Sequence, residues 1–557
     1  MMKYIEKERR NMKEIRRNVF INSKLKRLSL SFVLALCLLA GCFYAGAQKS
    51  QGKLQQEIQK IKDRGEPTTI EELIPREIPD KENGALVYRK AFKLKKDLEK
   101  KYKEEWKYMP YEGAKEWEEI SEEEKGKITA LLFKNSEFLR FYQLLEKASN
   151  MKCRFSKRKD YQKSTGISGK SGHFIGMLLP QLAGMRSCAR MLAAKAKIQS
   201  EIGQIDDALN TSLTSLKVAK SLSNEPILIS QLVRIALDSL AIDNIRKTLE
   251  KGVPLSIEIY QNLIREIEKE RKDKMIYSSL IEDRILGRQN YAQRRKRGET
   301  FFEFTEEDRK KIEKAYFHLK DHKKFKEEME KKMEANIRKY KKRIKDAYLK
   351  SGCKSADEFL NQQEFFYLKT MANAISLTKQ PYWKVRDELK KLNEEIKNAP
   401  VSFDEPIFYK IYTQEARIDA RLGAVEIVLA LKIYKDRKGH YPSSLVKLTP
   451  RIINKLPKDP FTGKNYVYRR EGDGFIVYSL GDNAKDDGGI SGLEKRWQGD
   501  FDIVWREVNA KSKTLQGKIG ETTISKKKFP EEVKDTKRAI VAKEAWESQE
   551  KERRDIF

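Results

Sequence analysis

FYKIYTQEARIDARLGAVEIVLALKIYKDRKGHYP, residues 408–442, is the stretch whose reading decides the fold. Ile411, Ile418, Leu422, Val425 and Leu429 recur at helical spacing on one face, and Gly439 with Pro442 closes the helix. A short helical segment follows (SSLVKL, 443–448), then the turn KDPFTGK (458–464), a strand NYVYRRE (465–471), a turn EGDG and a second strand FIVYSLG (475–481). Asp473-Gly474 between alternating β-formers is a hairpin signal. One long helix packed on a small antiparallel sheet is the economical fold for residues 404–505.

Upstream, helix formers dominate residues 83–290, with helices expected at about 84–104, 114–148, 173–202, 204–223, 225–250 and 255–290. The clearest unit is MRSCARMLAAKAKIQSEIGQIDDALNTSLTSLKVAKSLS (185–223), two helices about a turn at Gly203 with Ala208 and Leu216 facing back. It reads as an ordinary αα-hairpin or a tetratricopeptide-like one, without an array at fixed period. EPILISQLVRIALDSLAIDNIRKTLEKG (225–252) is apolar around much of its circumference and should sit at the centre of this domain. Residues 291–403 form a charged helical region, and KFKEEMEKKMEANIRKYKKRIKDAY (324–348) predicts a long solvated helix with Glu-to-Lys pairing. Residues 506–557 form a polar, Lys-rich tail. The class expected is α+β: a mostly helical domain followed by the helix-on-sheet module.

The N-terminus assigns the compartment. Residues 1–27 carry ten Lys or Arg against three Glu, and the apolar run LSLSFVLALCLLAGCFYAGA follows at 28–47. Twenty residues of helix span about 30 Å, the thickness of a bilayer core, and the basic flank stays on the cytoplasmic side. A single-pass protein of a bacterial inner membrane, with the bulk of the chain extracytoplasmic, is one reading. Leu39-Ala40-Gly41-Cys42 also has the form of a lipobox, which would make Cys42 the lipidated residue of a lipoprotein. Both export everything beyond residue 50. Residues 48–82, polar and Pro-containing, read as a linker.

Composition narrows the function. The 557 residues carry 116 Lys plus Arg against 83 Asp plus Glu, a net charge of +33, and 36% of residues are charged. The excess favours an acidic partner such as anionic lipid, nucleic acid or an acidic envelope polymer. Nucleic acid is the weaker choice, because no zinc-finger spacing, RNP-like strand or helix-turn-helix is present. The five cysteines lack CxxC spacing and suggest neither a zinc site nor a disulfide framework. Four histidines leave little material for a catalytic triad, and no GxSxG, HExxH, P-loop or GxGxxG fingerprint falls in a usable context. No catalytic residue is assigned.

GHYPSSLVKL, LPKDPFTGKNYVY, YSLGDNAKDDGG and GDFDIVW, in that order, resemble the C-terminal domain of the major pseudopilin of type II secretion. The resemblance covers roughly a fifth of the chain. It implies a pseudopilin-like head and a calcium-binding loop, with ligands at Leu480 through its carbonyl, Asn483, Asp486 or Asp487, and Asp500 or Asp502. Asn483 stands where that family usually has Asp, and the same Asp-rich loop can equally be a set of Asx turns without an ion. The family's G-F-T-L-x-E opening is absent, and the membrane segment lies over 350 residues upstream. The expectation is a non-enzymatic structural or interaction protein of the cell envelope, with membrane lipid and envelope proteins as partners. The alternatives are an enzyme acting on envelope polymers through loop carboxylates, or a basic scaffold for an acidic polymer.

Overall fold

The computed structural model describes residues 48–73, 77–113, 117–156, 173–225, 228–252, 256–272, 275–297, 331, 335, 338, 342–398, 408–490 and 503–507. The apolar run 28–47, Cys42, most of the 324–348 stretch and the tail beyond 507 lie outside the described residues. The longer helices are α1 (48–63), α2 (Gly84–Lys101), α3 (Glu122–Lys134), α4 (Ser136–Ser149), α5 (His173–Glu201), α6 (Ile205–Lys220) and α7 (Leu228–Leu249). They continue with α8 (Ile257–Arg271), α9 (Met275–Arg297), α10 (342–351), α11 (Ala356–Thr378), α12 (Tyr382–Lys397) and α13 (Phe408–Lys438). Among the described residues three strands follow: β1 (Val467–Glu471), β2 (Gly474–Ser479) and β3 (Ile503–Glu507). The protein is mostly helical with one small three-stranded antiparallel sheet, an α+β arrangement.

The chain divides into two compact units. One gathers the described residues within Met1–Glu72, Arg284–Asn373 and Glu394–Glu405; the other gathers those within Leu73–Asp283, Ala374–Asn393 and Pro406–Phe557.

In the larger unit α5 and α6 form the expected hairpin. Gly203 ends α5 at φ 80°, and Ala208 and Leu216 of α6 are buried. α7 packs on both helices and on α13, and buries residues around its circumference. The expected helix over 114–148 is instead two helices, because Asn135 stops α3 and caps α4, its side chain accepting from the Glu137 and Phe138 amides. The stretch expected as one helix over 255–290 likewise divides after Arg271 into α8 and α9.

The 408–442 segment folds as read, with α13 ended by Gly439 at φ 76°. The sheet has the order β1-β2-β3, with Glu471 opposite Gly474 and Phe475 opposite Glu507. The hairpin turn is Gly472-Asp473: Gly472 takes the positive φ of 61°, as a two-residue turn with glycine first requires. Gly474 is glycine for another reason, since a Cβ there would strike the Glu507 carbonyl. α13 lies against the sheet on one side and against α7 and α8 on the other, which buries it along most of its length. Tyr441, Phe475, Ile476, Val477 and Tyr478 are all under 3% exposed, which places the core of this region between helix and sheet.

The smaller unit corrects the reading of residues 48–82 as a linker. α1 places Leu54, Ile58 and Ile61 at i, i+4 and i+7 against Leu368 of α11, with Phe365 and Tyr367 alongside. The apolar spacing was present in the sequence, diluted by charged neighbours. Burying such a side chain contributes about 1.5–3 kcal/mol, enough to keep a short helix in place. Arg284 of α9, fully buried, bonds Glu66 at 2.5 Å and the Pro67 carbonyl at 3.0 Å, while Arg288 reaches the Thr68 carbonyl at 2.7 Å.

Candidate functional site

The loop that leaves β2 is the site the sequence points to, and one buried carboxylate builds its floor. Asp459, 1% exposed, accepts from the Phe461 amide (3.0 Å), the Ser479 hydroxyl (2.8 Å), the Thr462 hydroxyl (3.1 Å) and the Leu480 amide (3.2 Å). It thereby ties the KDPFTGK turn to the end of β2. That is a larger role than turn formation alone.

Asp482 is the second anchor. Its two carboxylate oxygens accept from the Tyr382 and Tyr409 hydroxyls, each at 2.5 Å, and Arg386 donates to its backbone carbonyl at 3.1 Å. Tyr382 stands edge-on to Tyr412 and Phe461 and also meets the Thr413 hydroxyl at 2.9 Å. Burial, with the hydrogen bond to Asp482, raises the Tyr382 phenol far above its ordinary range, so it remains a donor. Sequence reasoning missed this clamp, because Tyr382 and Arg386 lie on α12, outside the helix-on-sheet module.

Four of the six residues expected to hold calcium are described. Asp486 accepts from the Tyr478 hydroxyl and the Gly488 amide, each at 2.9 Å. The Asn483 amide donates to Asp487 at 3.0 Å, and its oxygen accepts from the Lys485 amide at 2.9 Å. These are Asx turns, with Gly481, Ala484, Gly488 and Gly489 at positive φ between them. Leu480 lies on the same loop through its bond to Asp459, whereas Asp500 and Asp502 lie outside the described residues. Among the described residues no three His, Cys, Asp or Glu side chains gather as a metal site. Asn483 has both side-chain heteroatoms engaged by protein, through Asp487 and the Lys485 amide.

A second cluster joins the module to the helical layer. Arg271 of α8 bonds Asp419 at 2.6 Å and Glu426 at 3.0 Å, both on α13. Burial raises both carboxyls against the opposing pull of Arg271, Glu426 to about 7. Tyr466 donates to the Ala420 carbonyl at 2.9 Å, and Gly423 leaves room for its ring, since a Cβ there would collide with the hydroxyl. Arg421 pairs with Asp243 of α7. At the far end of α13, Lys432 and Tyr441 both bond Glu507 of β3 at 2.6 Å.

A third set of carboxyls lies beside the helical layer. Glu225 accepts from the Phe155 amide, and Arg154 donates to the Asn224 carbonyl at 2.9 Å. Burial, opposed by Arg154 and reinforced by Asp283 and Glu225, raises the Glu282 carboxyl to about 8. Burial raises Asp283 to about 7. Cys153 and Cys188 are buried thiols whose ionisation burial suppresses, so they pack as small apolar side chains.

No protein-family model, curated protein or solved structure matches the chain. Among the described residues no helix is long and apolar enough to cross a membrane.

Proposed function

We propose that this is a membrane-anchored structural or interaction protein of the bacterial cell envelope, non-enzymatic, whose C-terminal part is a type II secretion pseudopilin-like head. The observation that carries the reading is the succession from Phe408 to Glu507: a 31-residue helix, a short 3-10 turn, an Asp459-centred turn and a three-stranded antiparallel sheet with an Asx-turn loop. This order supports the family resemblance of GHYPSSLVKL, LPKDPFTGKNYVY and YSLGDNAKDDGG. The N-terminal basic-then-apolar pattern at 1–47 supports the anchor.

The head is built into its surroundings, because α13 shares its apolar length and its charges with α7 and α8. A head welded to a helical layer suits a fixed display surface better than a subunit released to polymerise. The partners proposed are lipid and envelope proteins. Fractionation tests the anchor: the chain is expected to stay with membranes after high-salt and carbonate washes, and recovery in the soluble fraction would sink the envelope assignment. A reporter fused after residue 557 is expected to report an extracytoplasmic position. For the head, pull-down from detergent-solubilised membranes with Val446→Glu, a substitution at a 64% exposed side chain, is expected to lose envelope proteins that the unaltered chain retains. Unchanged prey would remove that face from the interaction surface.

A further inference from the structure

The geometry points to a lipid-headgroup face on the smaller unit, at the end where α1 begins, which holds that unit directly against an anionic bilayer surface. The inference rests on the proposed membrane anchor and goes beyond it, because an anchor on a slack tether would leave the body free of the membrane.

The first observation is the absence of slack after the apolar run. Ser50 is already buried, and Asn361 of α11 donates to its hydroxyl at 3.3 Å. Leu54, Ile58 and Ile61 then hold α1 on α11. Only Gln48 and Lys49 separate Ala47, the end of the apolar run, from Ser50, three residue steps that reach about 10 Å even when fully extended. If the run ends at the bilayer boundary, the first turns of α11 lie within that distance of the headgroups. The lipoprotein alternative lengthens the reach to eight residues, about 28 Å at most.

The second observation is what else sits at that end. Phe359, two residues before Asn361 and so about 3 Å along the helix axis, packs against Ile344 and Ala347 of α10. α10 therefore flanks the same end of α11 as Ser50. Its buried side is turned to Phe359, and its exposed residues are Lys342, Arg343, Lys345, Asp346, Leu349 and Lys350. Lys49 and Lys53 of α1 are exposed nearby. Leu349, 69% exposed, is the most exposed large apolar side chain among the described residues. Basic side chains around an outward leucine, next to the point where the chain meets lipid, fit an anionic headgroup layer with shallow apolar insertion. A protein partner would use the apolar residue but would not require the short approach to the bilayer.

The test uses the full chain reconstituted in bilayers with and without anionic phospholipid, with a photo-crosslinking phenylalanine analogue at position 349 or, as control, at position 446. Lipid adducts are expected at 349 and not at 446, falling several-fold when anionic lipid is omitted and when Lys342, Lys345 and Lys350 are changed together to Glu. If carbonate extracts the chain, the anchor reading fails, and this inference with it. If the chain resists extraction yet position 349 gives no lipid adduct, a protein adduct in native membranes, or an adduct indifferent to lipid charge, the headgroup face is wrong while the anchor stands.

Discussion

Replacing Arg271 with Met removes the cation that bonds both Asp419 and Glu426 among the described residues and puts an apolar side chain of similar length in its place. Glu426 is 2% exposed and Asp419 33% exposed at the side chain, so the unpaired charge that matters is on Glu426. Removing one partner of a buried pair costs about 3–5 kcal/mol, while an exposed pair is worth about 0–1 kcal/mol. With Asp419 discounted for its contact with water, about 3 kcal/mol is expected. At roughly 2 °C per kcal/mol for a large domain, the melting temperature of the full chain in detergent should fall by about 6 °C. The sign with pH follows from the raised carboxyl. A folded-state value of about 7 for Glu426, above its ordinary 4.5, means that the folded protein binds the extra proton. Its ionisation therefore costs stability above pH 7, and that cost fades as pH falls from 7 towards 4.5. Without the guanidinium the carboxyl rises further, so the deficit of Arg271→Met should be largest at pH 8.5 and shrink towards pH 5.5. Replacing Arg271, Asp419 and Glu426 together by Met, Leu and Leu should recover most of the loss, because no charge is left unpaired. A deficit under about 1 kcal/mol, or one that is the same at both pH values, would refute the claim that this cluster welds α8 to α13.

Gly423→Ala gains up to about 1 kcal/mol in helix propensity but drives a methyl into the Tyr466 hydroxyl, an overpacking cost of about 1–3 kcal/mol, so a net loss in urea unfolding is expected. A stabilised variant would show that Tyr466 moves aside freely. Tyr382→Phe with Tyr409→Phe takes both hydroxyl donors from the Asp482 carboxylate, at about 1.5–3 kcal/mol for each such bond. Hydrogen exchange at residues 480–488 should speed up while exchange in α6 is unchanged. Glu282→Gln should flatten the gain in stability that the unaltered chain shows on acidification from pH 8.5 to 6, a slope of at most about 1.4 kcal/mol per pH unit. An equal slope in both proteins argues against a proton held on Glu282. For the calcium ligation that the family resemblance implies, by Leu480, Asn483, Asp486 or Asp487, and Asp500 or Asp502, chelation is expected to lower the melting temperature of the full chain, and an unchanged value removes the ion.

Local signals carried much of the fold. The period of Ile411, Ile418, Leu422, Val425 and Leu429 wrote α13, Gly439 ended it, and the alternation through Tyr466 and Phe475 wrote the hairpin. Gly203 and Asn135 were equally local, although the capping role of Asn135 was passed over and two helices read as one. α1 was lost because Leu54, Ile58 and Ile61 are separated by Lys, Glu and Gln; a narrow apolar stripe among charges becomes a helix only when Leu368, more than 300 residues away, covers it. At the loop, the Asx turns of Asn483 and Asp486 were visible in the Asp-rich wording. Asp482 and its tyrosines were not.

What the sequence by itself determined was the elements with a broad apolar face, such as α6, α7, α13 and the β1–β2 hairpin, because helical and strand periods and glycine stops are properties of neighbouring residues. Which faces meet was decided only in the tertiary structure. Arg271 finds Asp419 across 148 residues, and Tyr382 finds Asp482 across 100. Those pairings depend on burial, which strips water from the charges and makes each one require a partner; no local pattern in the chain says where burial will occur.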